Sequence, residues 1–566
     1  MFKKTTVCLA MSIALIGAWG LAQAQEAKVV VAVGFSGYDE LKRDIGFIGQ
    51  LGGNAQMADA LEGMLALVTG GQGLDGIDKA KPWGLLVQSK GDQWPIVGFI
   101  PVTDAKKVLG LLKNAGVEVE EKGADSYEIS GDGPPMLVKV KQGWAFIGLA
   151  EQGLSDLPDD PAALVSDLTK RFNVGVRASA KNVPEQYKQM FLSQMEMLMQ
   201  LTGQQQPDET DEQYALRMGM MRASIKQYTT MLKELEEVVL GLNIDEKAKA
   251  AHLDFDVTFV EGGKFAKQLA AWKEAPTKFA GFDVPGAAMV MQMNSPGGDD
   301  EDLEQAKLAL EQARKQAYSG LEEAGLDEAD LKEAKAIVDD MFEVLIKTLE
   351  SKEMDGGAVL LADGKALALA AGGKVVGVEK LENALKRLVK LVGKEEPELA
   401  QMVKFDAGTI GNLRVHKASI PVPNDDPEAE MILKMVGNPL EVVVAAGNDT
   451  LYLAIGKDAE SLIKQVAEKS GQATGPAGPP FRMKIALTPL MKFVAAVAQD
   501  EPQVQQITQM VATMLEQTPG KDHVTITAGV IPRGVRYRVE LEEGILKLIP
   551  MAGGAAMGQM GPGANF

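Results

Sequence analysis

The side chains best able to take a proton, attack a carbon or hold a metal are few and far apart in this chain. The histidines are His252, His416 and His523, and the single cysteine is Cys8. A zinc site or a catalytic triad needs such groups to converge with a carboxylate. The three histidines fall on strands or strand edges at well-separated points, so no catalytic residue, metal site or cofactor is expected. Cys8 lies in a leader, which leaves the rest of the chain without thiolate ligand, disulfide or cysteine nucleophile. The chain has 78 acidic side chains, and a pair of them set for glycoside hydrolysis would leave no mark in the sequence. The densest acidic run, Asp299-Asp300-Glu301-Asp302, lacks the spacing of a calcium loop. It reads as the first turn of a helix, where acids complement the macrodipole.

Three motifs match by letter and fail by context. Gly71-Gln72-Gly73-Leu74-Asp75-Gly76 spells the dinucleotide fingerprint but ends a helical stretch, whereas the working motif follows a strand and opens a helix. It reads as a helix C-cap and turn. Ser461-Leu462-Ile463-Lys464 spells Ser-x-x-Lys without the Ser-Asp-Asn and Lys-Thr-Gly elements that accompany it in penicillin-recognising enzymes, and reads as a solvated helix. Gly34-Phe35-Ser36-Gly37 falls one residue short of a nucleophile elbow.

Methionine is the one unusual cluster. Met195, Met197 and Met199 face Met218, Met220 and Met221 across an expected helical hairpin. Thioethers suit Cu(I), fill irregular cores and make adaptable apolar surfaces. Packing accounts for Met195, Met218 and Met221. The remaining three, Met197, Met199 and Met220, are the candidate partner or ligand surface.

Apolar periodicity shows what must position these groups. Leu253, Phe255, Val257 and Phe259 alternate with polar residues, as do Val535, Tyr537, Val539 and Leu541. Such alternation marks antiparallel sheet with one buried and one wet face. The same order of signals occurs twice. Phe172-Asn173-Val174-Gly175-Val176 corresponds to Phe481-Arg482-Met483-Lys484-Ile485, and Phe146-Ile147-Gly148 to Ala454-Ile455-Gly456. The expected fold is therefore α+β, in two tandem copies of a mainly antiparallel sheet covered by helices. In copy two the early strands are read at Ala287–Met293, Ala358–Ala362 and Ala366–Ala371.

The expected divisions are a signal peptide (1–24), a first repeat (25–275), a Pro- and Gly-containing linker (276–286), a second repeat (287–550) and a disordered Gly/Ala/Met tail (551–566). A long helical hairpin, about 184–240, is expected within the first copy. Tyr214, Met218, Met221, Ile225, Tyr228, Leu232, Leu235 and Val239 form its heptad seam. Tyr187, Met190, Phe191, Gln194, Met195, Leu198 and Leu201 supply the facing arm.

Lys3 and Lys4, the apolar run Val7–Leu21 and the small-x-small Ala22-Gln23-Ala24 form a secretory signal cleaved between Ala24 and Gln25. The run is shorter than the roughly 20 residues a span needs, and no later segment approaches that length. The expected place is periplasmic or secreted, with no transmembrane span after cleavage. A formal net charge of −20 argues against nucleic acid and anionic membranes as partners.

Gly73-Leu74-Asp75, Pro82-Trp83-Gly84-Leu85, Val97-Gly98-Phe99-Ile100-Pro101-Val102-Thr103-Asp104, Gly123 to Ile129 and Trp144-Ala145-Phe146-Ile147-Gly148 together resemble exported bacterial proteins of unknown function with a duplicated α+β domain. The resemblance covers mainly residues 28–160. It implies an exported, duplicated α+β protein and nothing about substrate. The leading expectation is a non-catalytic exported protein that binds a protein partner or belongs to a cell-envelope structure. The alternative is a carrier of an apolar small molecule between sheet and helices, and the third is a hydrolase with a hidden carboxylate site.

Overall fold

Alternating sequence becomes antiparallel pairing, because strands that bury one face and wet the other pair well side by side. The computed structural model describes residues 27–550 apart from 115, 132, 150, 208, 363–365, 422–434, 473–476 and 499–500; the side chains of 152, 199, 202, 212, 471 and 472 also lie outside the description. The expected leader, its Ala24–Gln25 cleavage point and the 551–566 tail are outside the described residues. The chain is α+β. Its contacts divide it into two units. One holds the described residues up to Gln194, together with Leu235–Phe259, Ile549 and Pro550; the other holds Met195–Glu234 and Val260–Leu548.

The first unit contains β1 (Lys28–Phe35), β2 (Trp83–Ser89), β3 (Ile96–Pro101), β4 (Glu118–Gly123), β5 (Ser126–Ser130), β6 (Met136–Lys141), β7 (Trp144–Gly148), β8 (Val174–Ser179), β9 (Leu235–Asp245) and β10 (Ala250–Phe259). They pair antiparallel in the order β4-β5-β6-β7-β3-β2-β1-β8-β9-β10. The second unit contains β11 (Met289–Pro296), β12 (Glu353–Ala362), β13 (Leu367–Lys374), β14 (Val403–Ile410), β15 (Leu413–Ile420), β16 (Leu440–Ala446), β17 (Thr450–Gly456), β18 (Phe481–Ala486), β19 (His523–Ile531) and β20 (Gly534–Leu541). Their order is β14-β15-β16-β17-β13-β12-β11-β18-β19-β20, again antiparallel throughout. Adding ten to a strand's number in the first ladder gives the strand at the same place in the second.

Helices enter between the same strands in both halves. After β1 come α1 (Tyr38–Leu51) and α2 (Met57–Val68), and after β3 comes α3 (Ala105–Asn114). The short α4 (Ser166–Thr169) precedes β8, and α5 (Glu185–Thr202) and α6 (Asp211–Glu234) follow it. After β10 comes α7 (Lys264–Ala270). In the second half α8 (Asp300–Glu323) and α9 (Glu328–Glu350) follow β11, and α10 (Val378–Glu395) with α11 (Pro397–Gln401) follow β13. Then come α12 (Ala459–Gln472) after β17, α13 (Leu487–Val497) and α14 (Pro502–Leu515) after β18, and α15 (Glu543–Leu546) at the end.

Local chemistry explains the helix starts. The Asp299 carboxylate accepts from the Glu301 and Asp302 N–H groups at 2.9 Å each, and Asp302 reaches back to the Asp299 N–H at 3.1 Å. The acidic run is thus a capping box for α8. Asp104 caps α3 by accepting from Lys106 N at 3.0 Å, and Asp327 caps α9 through Asp330 N at 2.8 Å. The Gly71–Gly76 motif follows α2, with positive φ at Gly71, Gly73 and Gly76. It is a helix end and turn, and Gly76 accepts from Thr103 and Asp104 N–H groups through its carbonyl.

Two expectations need correction. Segment 276–286 is no linker: Phe279 and Phe282 are fully buried at the centre of the second unit's core, with Val359, Ala370, Tyr452, Ala454, Ile463 and Val466. Proline and glycine punctuate this stretch, but two phenylalanines three residues apart plug the sheet, and the segment is tied down. Thr277 Oγ1 donates to Asp355 at 2.5 Å and Gly281 N to Ser470 Oγ at 3.1 Å. The expected hairpin is the second correction. Its second helix stops at Glu234, and Leu235 opens β9 with no connecting residue, so Leu235 and Val239 are strand residues. Within its unit α6 packs on α8 and α7. Met190, Phe191, Leu198 and Leu201 of the facing arm are exposed, as is Tyr228. Spacings of four and three define a stripe, and any apolar helix satisfies it; they do not name the partner. A shorter helix pair, α13–α14, occupies the same step of the second half, so the pair is not peculiar to the first.

Candidate functional site

The second unit's sheet is apolar on both faces where β12 meets β13. Two glycine pairs lie there, Gly356 opposite Gly373 and Gly357 opposite Gly372. Alternation sends the pairs to opposite faces. Gly357 and Gly372 face the core. A Cβ on either would lie 2.7 Å from a ring carbon, of Phe282 or Tyr452 respectively. Those stacked rings, 6.2 Å apart at their centroids, fill the space two side chains would need.

Gly356 and Gly373 face the other way, in a cross-strand row Phe481, Met293, Gly356, Gly373, Leu451. The next row is Met483, Met291, Ala358, Ala371, Leu453. Small residues thus occupy the middle of both rows and large ones the edges. Above this floor opens a cleft of about 620 Å³, lined also by Leu303 and Ala306 of α8 and by Thr348 and Leu349 of α9. Leu453 and Met354 are 37% and 39% exposed, so apolar surface stands open to water at the cleft.

The polar groups near the cleft are already engaged. Lys374 pairs with Glu353, and this hydrogen bond first, then the charge of Lys374, holds the Glu353 carboxyl below its ordinary range. Asp355 accepts from Thr277 Oγ1 at 2.5 Å and from Lys278 N at 2.9 Å. Asp302 belongs to the capping box and also accepts from Gln268 Nε2 at 2.6 Å. This arrangement offers apolar contact, with the Glu353, Asp355 and Lys374 side chains on the opposite face of the strands from the cleft floor.

The sequence-chosen methionines do not line this cleft. Met197 is exposed on α5 at 62%, Met220 is half-buried on α6, and the Met199 side chain lies outside the described residues. Met218 and Met220 are both half-buried, so the expected contrast between a dry seam and a wet flank is absent. The cleft's own methionines, Met291, Met293 and Met354, come from strands. The small-large alternation in β12 and β13 was the available signal.

The histidines stay apart, each with its own partners. His416 on β15 accepts the Asp406 backbone N–H at Nδ1, 3.0 Å away, which leaves its proton on Nε2, facing Glu382 Oε1 at 2.8 Å. Burial alone would raise the Glu382 carboxyl, but hydrogen bonds from Arg414 and His416 outweigh it and hold it below its ordinary range. Both ring nitrogens are used, so this buried cluster braces α10 against the sheet. His523 meets Glu542 at 2.8 Å, and His252 lies on β10. Among the described residues no three His, Cys, Asp or Glu side chains are grouped to hold a metal ion.

No family model, curated protein or solved structure matches the chain.

Two further places carry perturbed groups. A second, polar cavity of about 450 Å³ lies in the second unit, between Gln206–Arg217 and α8. Its Arg217 grips Glu209 through two hydrogen bonds of 2.7 and 2.8 Å. Burial, then a hydrogen bond to Asp339, pushes the lining Tyr318 up to about 12. In the first unit Asp44 of α1 is 1% exposed. Burial first, and Glu40 second, push its carboxyl up to about 6. Asp44 Oδ2 accepts from Asn173 Nδ2 at 2.7 Å, while Oδ1 has no hydrogen-bond partner. Asn173 Oδ1 in turn accepts from Ile244 N at 2.6 Å, so this amide ties α1 to β9. No helix among the described residues is long and apolar enough to cross a membrane.

Proposed function

We propose that this chain is an exported, non-catalytic binding protein, and that the cleft over β12 and β13 holds an apolar small molecule. One observation carries the reading: a cleft of about 620 Å³ whose floor is built of small residues and whose sides are Met and Leu. Small-molecule sites span about 300–1,000 Å³ and are mostly apolar with few polar groups. Asp302, the carboxylate beside the floor, is already bound in a helix N-terminus, and Glu353 and Asp355 point to the other face of the sheet, which favours holding a ligand over transforming it.

The test is titration of the purified chain with N-phenyl-1-naphthylamine, an uncharged apolar fluorophore. Saturable binding at one dye per chain is expected. Ala371→Phe, which puts a ring into the middle of the floor, should abolish it, with the urea midpoint confirming that the variant folds. Absence of saturable binding, or binding untouched by the substitution, sinks the proposal.

A second reading, docking of a protein partner, is favoured by α5. Met190, Phe191, Met197 and Leu201 are between 45% and 67% exposed there, and exposed apolar clusters mark interaction surfaces. Met197→Asp would release a partner that co-purifies from the source if this reading holds.

A further inference from the structure

Strand β11 opens Met-Val-Met-Gln-Met, from Met289 to Met293. Val290 lies in the second unit's core cluster with Val359. Alternation therefore turns Met289, Met291 and Met293 to the opposite face, where the cleft opens. Strand β18 adds a fourth thioether to that face, because Met483 stands directly opposite Met291 and Phe481 opposite Met293. On the other side of β11 the partners of Met291 and Met293 are Ala358 and Gly356, which leave room beside the sulfurs. Met289, Met291, Met293 and Met483 are all half-buried, so none of them is sealed into the core.

Register sets the spacing of these groups. Met291 and Met483, an opposed pair, hold their Cβ atoms about 5 Å apart, and the diagonal pair Met293 and Met483 about 7–8 Å. Met291 and Met293, two residues apart on one strand, are separated by about 6.6 Å. A thioether sulfur stands two rotatable bonds beyond its Cβ, on an unbranched and adaptable side chain. Three such arms reach one point above the triangle they define. The donors they bring are soft and uncharged. Harder donors are used elsewhere: Asp302 is bound in its capping box and to Gln268, and among the described residues no three His, Cys, Asp or Glu side chains are grouped to hold a metal ion. A set of thioethers alone favours Cu(I) over divalent ions that seek imidazole, thiolate or oxygen.

We propose that Met291, Met293 and Met483 form a binding site for a single Cu(I) ion, reached through the cleft. The site does not rest on the apolar-ligand reading. The dye titration can fail while the ion is held, and the ion can fail to bind while the dye does.

The experiment uses the full chain, with Cu(I) kept reduced by ascorbate and shared with the chelator ferrozine, whose coloured complex fades as the protein takes the ion. One ion per chain is expected, with sulfur as the only donor type in X-ray absorption at the copper edge. Met291→Leu and Met483→Leu each remove one sulfur at nearly constant volume, so the urea midpoint should hardly move. Each should weaken Cu(I) binding by at least about tenfold, since even the loss of an outer-shell partner costs about 10–100-fold. Met197→Leu and Met220→Leu, in the methionine group of α5 and α6, should leave binding unchanged. Zn(II) should not displace the ion. The proposal is overturned if the ferrozine complex does not fade, if the Met291 and Met483 variants bind Cu(I) as the native chain does, or if nitrogen or oxygen donors appear around the copper.

Discussion

Replacing Asp44 by asparagine should stabilise the first unit at neutral pH and leave it unchanged in acid. The Asp44 carboxyl is buried at 1% exposure, and among the described residues its hydrogen bond comes from Asn173. The facing charges are Glu40 and Arg43 on its own helix and Glu246 beyond β9. The native group keeps its proton to about pH 6, whereas the ordinary carboxyl releases it near 3.8. Between those values the native state binds more protons than the unfolded chain, so stability falls as pH rises. The penalty is complete above about pH 6. At 1.36 kcal/mol per unit it amounts to about 3 kcal/mol. Asparagine keeps the bond from Asn173 but makes it neutral, which returns about 1 kcal/mol of that gain. The expected advantage is therefore about 2 kcal/mol at pH 8 and close to zero at pH 4. Urea unfolding of both proteins at several pH values measures it. Comparing them removes the general self-repulsion of this acidic chain. A difference that stays constant with pH, or one that favours the native aspartate at pH 8, would refute the reasoning.

Three further outcomes are expected of the same structure. Gly357→Ala places a methyl 2.7 Å from the Phe282 ring and should cost about 1–3 kcal/mol through overpacking; Gly373→Ala, whose nearest neighbour is the Asp355 carbonyl at 3.2 Å, should lower the urea midpoint much less. Asp299→Ala removes the α8 capping box and should cost about 1 kcal/mol, read as a lower midpoint for the second unit. Glu382→Leu strands the buried His416 and should cost about 3 kcal/mol, whereas Met197→Asp on exposed α5 should stay within about 0.5 kcal/mol.

The sequence spoke clearly wherever periodicity or a terminus decided the structure. Alternation at Leu253–Phe259 and Val535–Leu541 marked β10 and β20 as strands but not which face is buried, since Asp254 and Asp256 are 1% and 3% exposed while Leu253 and Phe255 are each 41% exposed; the acidic run from Asp299 announced a helix start. The out-of-context glycine motif was readable as a helix end because no strand precedes it. The cleft was hidden for a physical reason. Its strands were read as starting at Ala358 and stopping at Ala371, because double glycines weaken a strand and usually punctuate it. In the fold they extend to Glu353 and Lys374, since Phe282 and Tyr452 cover one glycine pair from the core side. That coverage comes from Phe282, in the stretch read as a linker, so missing one feature entailed missing the other. The methionine hairpin misled in the opposite sense, since a helical stripe carries no record of what it faces.

The two glycine pairs leave a place where this sheet has a backbone and nothing else. Elsewhere a sheet separates its two sides by a layer of side chains on each face. Here the Phe282 and Tyr452 rings lie on one side and the cleft opens on the other, with a septum one peptide thick between them. Such a septum insulates poorly. On the binding reading, an occupant of the cleft would alter the polarisable surroundings of Tyr452 without touching it. The phenol would then serve as an optical gauge of the cleft, readable in near-ultraviolet absorption or dichroism without any added label.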